Sequence, residues 1–231
     1  MHDVERLIVH VRSPCIFQHL VTFIRTWAQR VGLYGQVFGY LGGHSWAILC
    51  AHICHTGVLS IDDLCSIDQF FLLVQKFFVG YSQYDWSTQA LRLHACQPDE
   101  SCLRSNGGSM HILCPSPPFQ NSARSTTTST RQLIVEAFQA VLPLLEQRIS
   151  HVDRLAAILQ LPNQFPHQSV QSVLQLKLSS QTVNELDQWI GWIKSRLARF
   201  LTACEDDCQL FVQTQAALES RDKDLDRKSV V

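Results

Sequence analysis

Between residues 15 and 31 the apolar positions recur every three or four residues: Phe17, Leu20, Val21, Ile24, Trp27, Ala28 and Val31. That period puts them on one side of a helix, with polar residues on the other. A glycine-rich turn follows and ends at Gly42-Gly43. Ser45 to Cys54 is then almost continuously apolar, which predicts a short helix buried on all sides. Ser60-Ile-Asp-Asp is a helix-start signal, and Ile67, Phe70, Phe71, Val74, Phe77 and Phe78 supply the next apolar face. From Pro98 to Arg131 the periodicity is lost. This stretch holds four of the eight prolines, the Asn106-Gly107-Gly108 turn and the Ser/Thr-rich run 121–130, so it predicts a long irregular connection that wraps the core or carries function.

Ser129-x-x-Gln132 has the form of a capping box opening a helix through Ile134, Phe138, Val141, Leu144 and Leu145. Pro143 is expected to kink or divide that helix. After the LPNQFP segment at 161–166 the period changes to two, with Val170, Ser172, Leu174, Leu176 and Leu178 alternating against polar residues in a predicted strand. Ser180 to Ala203 is helical again, through Val183, Leu186, Trp189, Ile190, Ile193, Leu197 and Phe200, with Trp189 expected in the core and Trp192 at its rim. A second short strand is predicted at 210–214 and a solvated tail from Glu219. One or two strands and one helix do not close a sheet domain. The C-terminal unit therefore reads as incomplete, with apolar surface from Val170, Leu174 and the following helix left open.

Composition narrows the options. Of 231 residues, 46% are hydrophobic and 17% charged, the balance of a folded soluble chain. The net charge of −1 gives no bulk attraction for polyanions, so any nucleic-acid contact must come from local clusters. The weakly charged run 37–54 is interrupted by Gly39, Gly42, Gly43, His44, Ser45 and His52, which argues for a turn and helix rather than a membrane span. Nine cysteines without small-scaffold spacing, behind an N-terminus that does not read as a signal peptide, favour reduced thiols in the nucleus or cytosol. Cys50, His52, Cys54 and His55 raise the question of zinc. All four within six helical residues cannot converge on one ion, and buried structural cysteines are the preferred reading, with no metal site assigned.

Candidate chemistry gathers around the glycine pair. Gly42-Gly43 before a helix allows close backbone approach to a ligand, with N–H groups suited to phosphate, although such a pair is more often only a turn. Arg25 lies nine residues before Tyr34, and a folded chain can bring guanidinium and phenol to one pocket; the alternative for Arg25 is a solvated helix residue.

Three segments carry a family resemblance. Ile24-Arg-Thr-Trp-Ala-Gln-Arg through Tyr34, followed by Gly39-Tyr-Leu-Gly-Gly-His-Ser-Trp-Ala47, resembles the (K/R)xWAxRxxxY…GxLGGxSWA signature of poly(A) polymerases. Met110-His-Ile-Leu-Cys-Pro-Ser-Pro-Pro-Phe-Gln-Asn-Ser, ending in Ser129-Thr-Arg131, resembles the MPIITPxxPxxNS…STR stretch of the same family's central domain. Phe165 to Phe200 is similar to the first strand and helix of its RNA-binding domain, and Phe77-Phe78 with Tyr84-Asp-Trp86 is a softer match. Together they cover about Phe17 to Leu218.

The resemblance implies an α+β fold. Residues 1–160 would form the mostly helical central domain, and residues 161–231 a partial ferredoxin-type, RRM-like RNA-binding domain with a solvated tail. It implies ATP as substrate, with Arg25 and Tyr34 on the triphosphate, Gly43 and His44 against the nucleotide, and Gln36 where the family often has an adenine-contacting Asn. His44 replaces a small apolar residue that packs on the base. Lys177, Lys194, Arg196 and Arg199 are the candidate phosphate contacts for RNA, against the bland reading of a charged helix face.

The family holds two divalent ions with three Asp, two of them in a GS…DxD motif. Here Gly108-Ser109 is followed by Met-His-Ile-Leu. No catalytic residue is therefore assigned, and Mg²⁺ or Mn²⁺ is expected only with the family's N-terminal catalytic domain, in cis or in trans. Alone, the chain is expected not to extend RNA. The implied partners are an RNA 3′ end and 3′-end processing factors, with no membrane, in the nucleus. The two readings are part of a polynucleotide adenylyltransferase and a non-catalytic ATP- or RNA-binding or scaffold module.

Overall fold

The computed structural model describes residues 7–9, 11, 13–56, 66–93, 107–161, 174, 176–180, 182–208, 210, 212 and 229–230. Helix α1, Pro14–Arg30, opens with proline at its first turn, where a missing N–H costs nothing. It buries Ile16, Leu20, Ile24, Trp27 and Ala28, the stripe that the spacing predicts. Helix α2, Gly43–Thr56, is buried on nearly every side, as its apolar sequence requires. Helix α3, Ile67–Ser82, starts at Ser66, whose hydroxyl accepts from the Gln69 N–H. The start signal at Ser60 lies outside the described residues.

The strands β1, Ala90–Leu91, and β2, His111–Ile112, pair in parallel. Helix α4, Thr128–Leu145, is opened by a capping box formed by Thr127 and Thr130, two residues ahead of the predicted Ser129 and Gln132. The hydroxyl of Thr130 does the work assigned in sequence to an amide. Pro143 does not divide α4, which runs to Leu145. It falls in the last turn, and the carbonyl it leaves without a helical donor belongs to exposed Gln139. Helix α5, His151–Leu159, is capped by Ser150. Strand β3, Leu176–Lys177, pairs antiparallel with β4, Ser229–Val230, so the end of the tail is paired rather than free. Residues 170–173 of the predicted strand lie outside the described set. The strand predicted at 210–214 is not seen at Leu210 or Val212; the Val212 N–H instead donates to Ser129 Oγ, 3.1 Å away.

Among the described residues, five helices, α1 to α5, form most of the core. α1 lies on α2, α3 on α2 and α4, and α5 closes against α1, α3 and α4. At its centre Trp27 stacks on Phe138 at 5.8 Å and meets Phe78 edge-on at 4.9 Å, while Trp46, Phe77 and Tyr81 complete the aromatic cluster. Such pairs add about 0.5–1.5 kcal/mol each beyond their buried area. The architecture is mostly helical.

Helix α6, Val183–Asp206, stands largely apart, burying only Leu186, Ile190 and Leu201. Trp189, expected in the core, is 56% exposed, and Trp192 is 51% exposed. The helix has no second layer among the described residues to cover that side of its stripe. Leu174 is exposed as well, in line with the open surface expected there. The C-terminal end of α6 contacts the turn at Gln36–Phe38 and reaches α4. There Glu205 accepts from Thr127 Oγ1 at 2.5 Å and from the N–H of Thr128 at 3.0 Å, at the positive end of α4.

A candidate nucleotide-facing site

Arg25 and Tyr34 are set by the end of α1 and the turn after it. Leu33 N–H returns to the Ala28 carbonyl at 2.8 Å and Gly32 takes φ 80°, which stops the helix and turns the chain back. Tyr34 then forms a parallel bridge with Leu41, so the segment 34–41 is a closed loop around the Gln36–Phe38 turn. Gly39, at φ 78°, is locked into this loop, since a Cβ there would meet Thr130 at 3.1 Å in a conformation side chains avoid.

The loop delivers Tyr34 to Arg25. Arg25 Nη2 donates to the Tyr34 hydroxyl at 3.0 Å, and the guanidinium carbon lies 5.7 Å from the ring centroid. Arg25 is exposed and Tyr34 half-buried. Because the phenol oxygen accepts from Arg25, its own proton is available to a ligand, beside a permanent positive charge. Gly43, the first residue of α2, faces this pair: a Cβ there would come to 2.8 Å of the Tyr34 hydroxyl and 3.5 Å of the guanidinium. Only hydrogen at this position leaves room for the arrangement.

Gln36 is held from the other side. Its Nε2 donates to the Ser122 carbonyl at 2.9 Å, and Ser45 Oγ donates to the same oxygen at 3.0 Å. A carbonyl partner requires the amide's NH₂, so Oε1 is the group left to accept from elsewhere. Gly42 sits against this side chain, where a Cβ would come to 2.9 Å of Gln36 Cγ. His44 follows Gly43 in the first turn of α2 and is half-buried. The structure thus joins Arg25, Tyr34 and Gly43 in direct contact and sets Gln36 and His44 beside them.

Sequence reasoning gave no role to the residue that anchors Gln36. Ser122 is fixed by donating its hydroxyl to the Ile112 carbonyl at 3.0 Å. Its neighbour Asn121 is 3% exposed and accepts from the N–H of Ile112 and Ala123 while donating to the carbonyls of Gly107 and Met110. One amide therefore holds the connection 107–123 in shape. The Asn-Ser pair within the 110–122 motif was the available signal. The same holds for Arg131, which donates to the Ser109 carbonyl at 3.3 Å.

Lys194, Arg196 and Arg199 are exposed on α6, and Lys177 lies in β3. Of the Cys/His group of α2, Cys50 and Cys54 are buried, His52 is half-buried and His55 is exposed. Tyr81 donates to the Leu49 carbonyl at 2.9 Å, so the 3.0 Å contact between its oxygen and His52 Nδ1 requires the proton on the imidazole. Burial, then the charge of His55, lowers the His52 pKa; burial raises Cys50 and pushes Cys54 up to about 12. Neutral thiols in such a place are poor metal ligands. Among the described residues no three His, Cys, Asp or Glu gather to hold a metal ion. No described helix is long and apolar enough to cross a membrane.

Comparison with known proteins adds the following. Residues 16–160 match the family described as poly(A) polymerase central domain. The chain is 28% identical over 214 residues to nuclear poly(A) polymerase 1 of Arabidopsis thaliana, covering 88% of this chain and 28% of that protein. It is 27% identical over 203 residues to nuclear poly(A) polymerase 4 of the same plant, covering 83% and 26%. Poly(A) polymerase PAPa of Candida albicans is 27% identical over 150 residues, covering 61% and 25%. The chain spans about a quarter of the length of these curated relatives.

Proposed function

Because this chain belongs to the poly(A) polymerase central-domain family, we propose that it is part of a polynucleotide adenylyltransferase, adding AMP from ATP to RNA 3′ ends. In this reading Arg25, Tyr34, Gln36, Gly43 and His44 form one wall of the ATP cleft. The observation that carries it is the 3.0 Å bond from Arg25 to Tyr34 with Gly43 seated against the pair, where a Cβ would come to 2.8 Å of the Tyr34 hydroxyl and 3.5 Å of the guanidinium.

The guanidinium and the phenol proton bind triphosphate oxygens and orient the chain of phosphates, while Gly43 keeps the helix start open to them. The free Oε1 of Gln36 accepts from an exocyclic amino group such as that of adenine. His44 offers a ring to stack on the base. Divalent metal does not fit the described residues, so Mg²⁺ or Mn²⁺ and the activation of the attacking 3′-hydroxyl belong to an N-terminal catalytic domain in cis or in trans. Lys177, Lys194, Arg196 and Arg199 contribute to the RNA surface on a partial RRM-like unit spanning 161–231, after a central domain spanning 1–160. The names of the plant relatives favour a nuclear location; 3′-end processing factors are the partners this reading proposes.

The second reading is a non-catalytic ATP- or RNA-binding module, favoured by the lack of an acidic cluster among the described residues. Both readings share the nucleotide wall, which Tyr34→Ala tests. The variant should fold cooperatively and lose about tenfold in ATP affinity by titration calorimetry, the worth of one hydrogen bond to a charged group. Equal binding by variant and parent returns Arg25 and Tyr34 to an ordinary surface contact.

A further inference from the structure

The middle of α6 presents aromatic and basic side chains together. Trp189 and Trp192, 56% and 51% exposed, stand one helical turn apart with ring centroids 5.9 Å apart, edge to face. Arg196, one turn on, lays its guanidinium 4.2 Å from the Trp192 centroid. Arg199 follows another turn later on the same side and is exposed. From Trp189 to Cys204, sixteen residues, three are basic and none is acidic. Of the carboxylates that flank this stretch, Glu205 is engaged with the N-terminus of α4 and Glu185 with the Ser180 hydroxyl at 2.7 Å, while Asp206 and Asp207 are exposed beyond its C-terminal end. A chain with net charge −1 thus concentrates positive charge on the one exposed surface that also carries two indoles.

Packing among the described residues does not explain these rings, since the helix buries Leu186, Ile190 and Leu201 without them. A polyanion with flat faces matches both features at once. Bases stack on indole whatever their identity, and guanidinium meets phosphate or stacks in turn. An apolar protein surface would match the indoles but leave Arg196 and Arg199 without anions.

Resting on the RNA-binding reading above, we infer that Trp189 and Trp192, with Arg196 and Arg199, form a stacking surface for successive bases of single-stranded RNA. The indoles take the bases and the guanidinium groups take the phosphates between them. Recognition is tolerant of sequence, because every base offers a π-face.

The full chain is titrated with fluorescein-labelled oligo(A) of about twelve nucleotides, a length within common single-strand site sizes. Anisotropy and intrinsic tryptophan fluorescence are read together. Trp27, Trp46 and Trp86 are buried, so quenching reports the two exposed indoles. Quenching should follow binding; Trp192→Ala should weaken affinity about tenfold, and Trp192→Phe should restore most of it. Binding without quenching, and unchanged in Trp192→Ala, overturns the stacking surface while leaving RNA binding by the lysines and arginines intact. No binding by any form overturns both. A self-associated chain that Trp192→Ala makes monomeric, with RNA affinity unchanged, assigns the strip to a protein interface and overturns the proposal.

Discussion

Gly43→Ala separates the proposed nucleotide wall from the fold that supports it. The new Cβ would lie 2.8 Å from the Tyr34 hydroxyl, where ordinary contacts begin at 3.4 Å, so the phenol must retreat by about 0.6 Å or more. That retreat breaks the 3.0 Å bond from Arg25. Being at an exposed site, this bond contributes about 0.5–1 kcal/mol. Alanine in the first turn of α2 recovers part of a helix-propensity gain of up to ~1 kcal/mol. The two effects nearly cancel, and the melting temperature should move by only a few degrees. Nucleotide affinity has no such compensation. Displacing a hydroxyl donor and freeing the guanidinium it positions removes one to two charge-assisted phosphate contacts, worth roughly ten- to hundredfold in affinity. The assay is displacement of a fluorescent ATP analogue by ATP, run beside thermal unfolding followed by circular dichroism. A variant of parental stability that binds ATP within twofold of the parent refutes the role given to Gly43. A variant that loses many degrees of stability refutes the reasoning that Tyr34 can yield.

Two further outcomes follow from the interior. Asn121→Ala leaves the N–H groups of Ile112 and Ala123 and the carbonyls of Gly107 and Met110 without this partner in a buried place; it should cost about 3–5 kcal/mol by urea unfolding and loosen Gln36 through Ser122. His52 has a folded pKa lowered from 6.5 by burial and by His55, so the folded state favours the neutral ring. Its contribution is present above about pH 6.5 and is lost as pH falls through the lowered pKa. Unfolding against pH should show this decline, and His52→Gln, which keeps a donor for Tyr81 without titrating, should flatten it.

Much of the helical core was legible because its signal is periodic. The stripe from Leu20 to Val31 and the apolar run of α2 leave few alternatives to burial. The connection 107–127 was not legible in detail, because its order comes from one amide, Asn121, bonding to groups up to fourteen residues away, and no local pattern encodes such bonds. Trp189 misled for a related reason. Periodicity says which side of a helix is apolar, but not whether anything covers it. In the site, the motif placed Arg25, Tyr34 and Gly43 near one another, whereas the Ser122 carbonyl holding Gln36 and Ser45 lies 77 and more residues away in sequence.

The carboxylate of Glu205 caps a helix to which it does not belong, reaching the N-terminus of α4 from the far end of α6. Any swing of α6 away from the helical core must therefore take this carboxylate from the N–H groups of Thr128 and Ser129, leaving α4 with its own Thr127–Thr130 capping box. Small displacements meet this resistance at once, and large ones release it entirely. One side chain thus ties the far end of α6 to the start of α4, beside its contact with the turn at Gln36–Phe38.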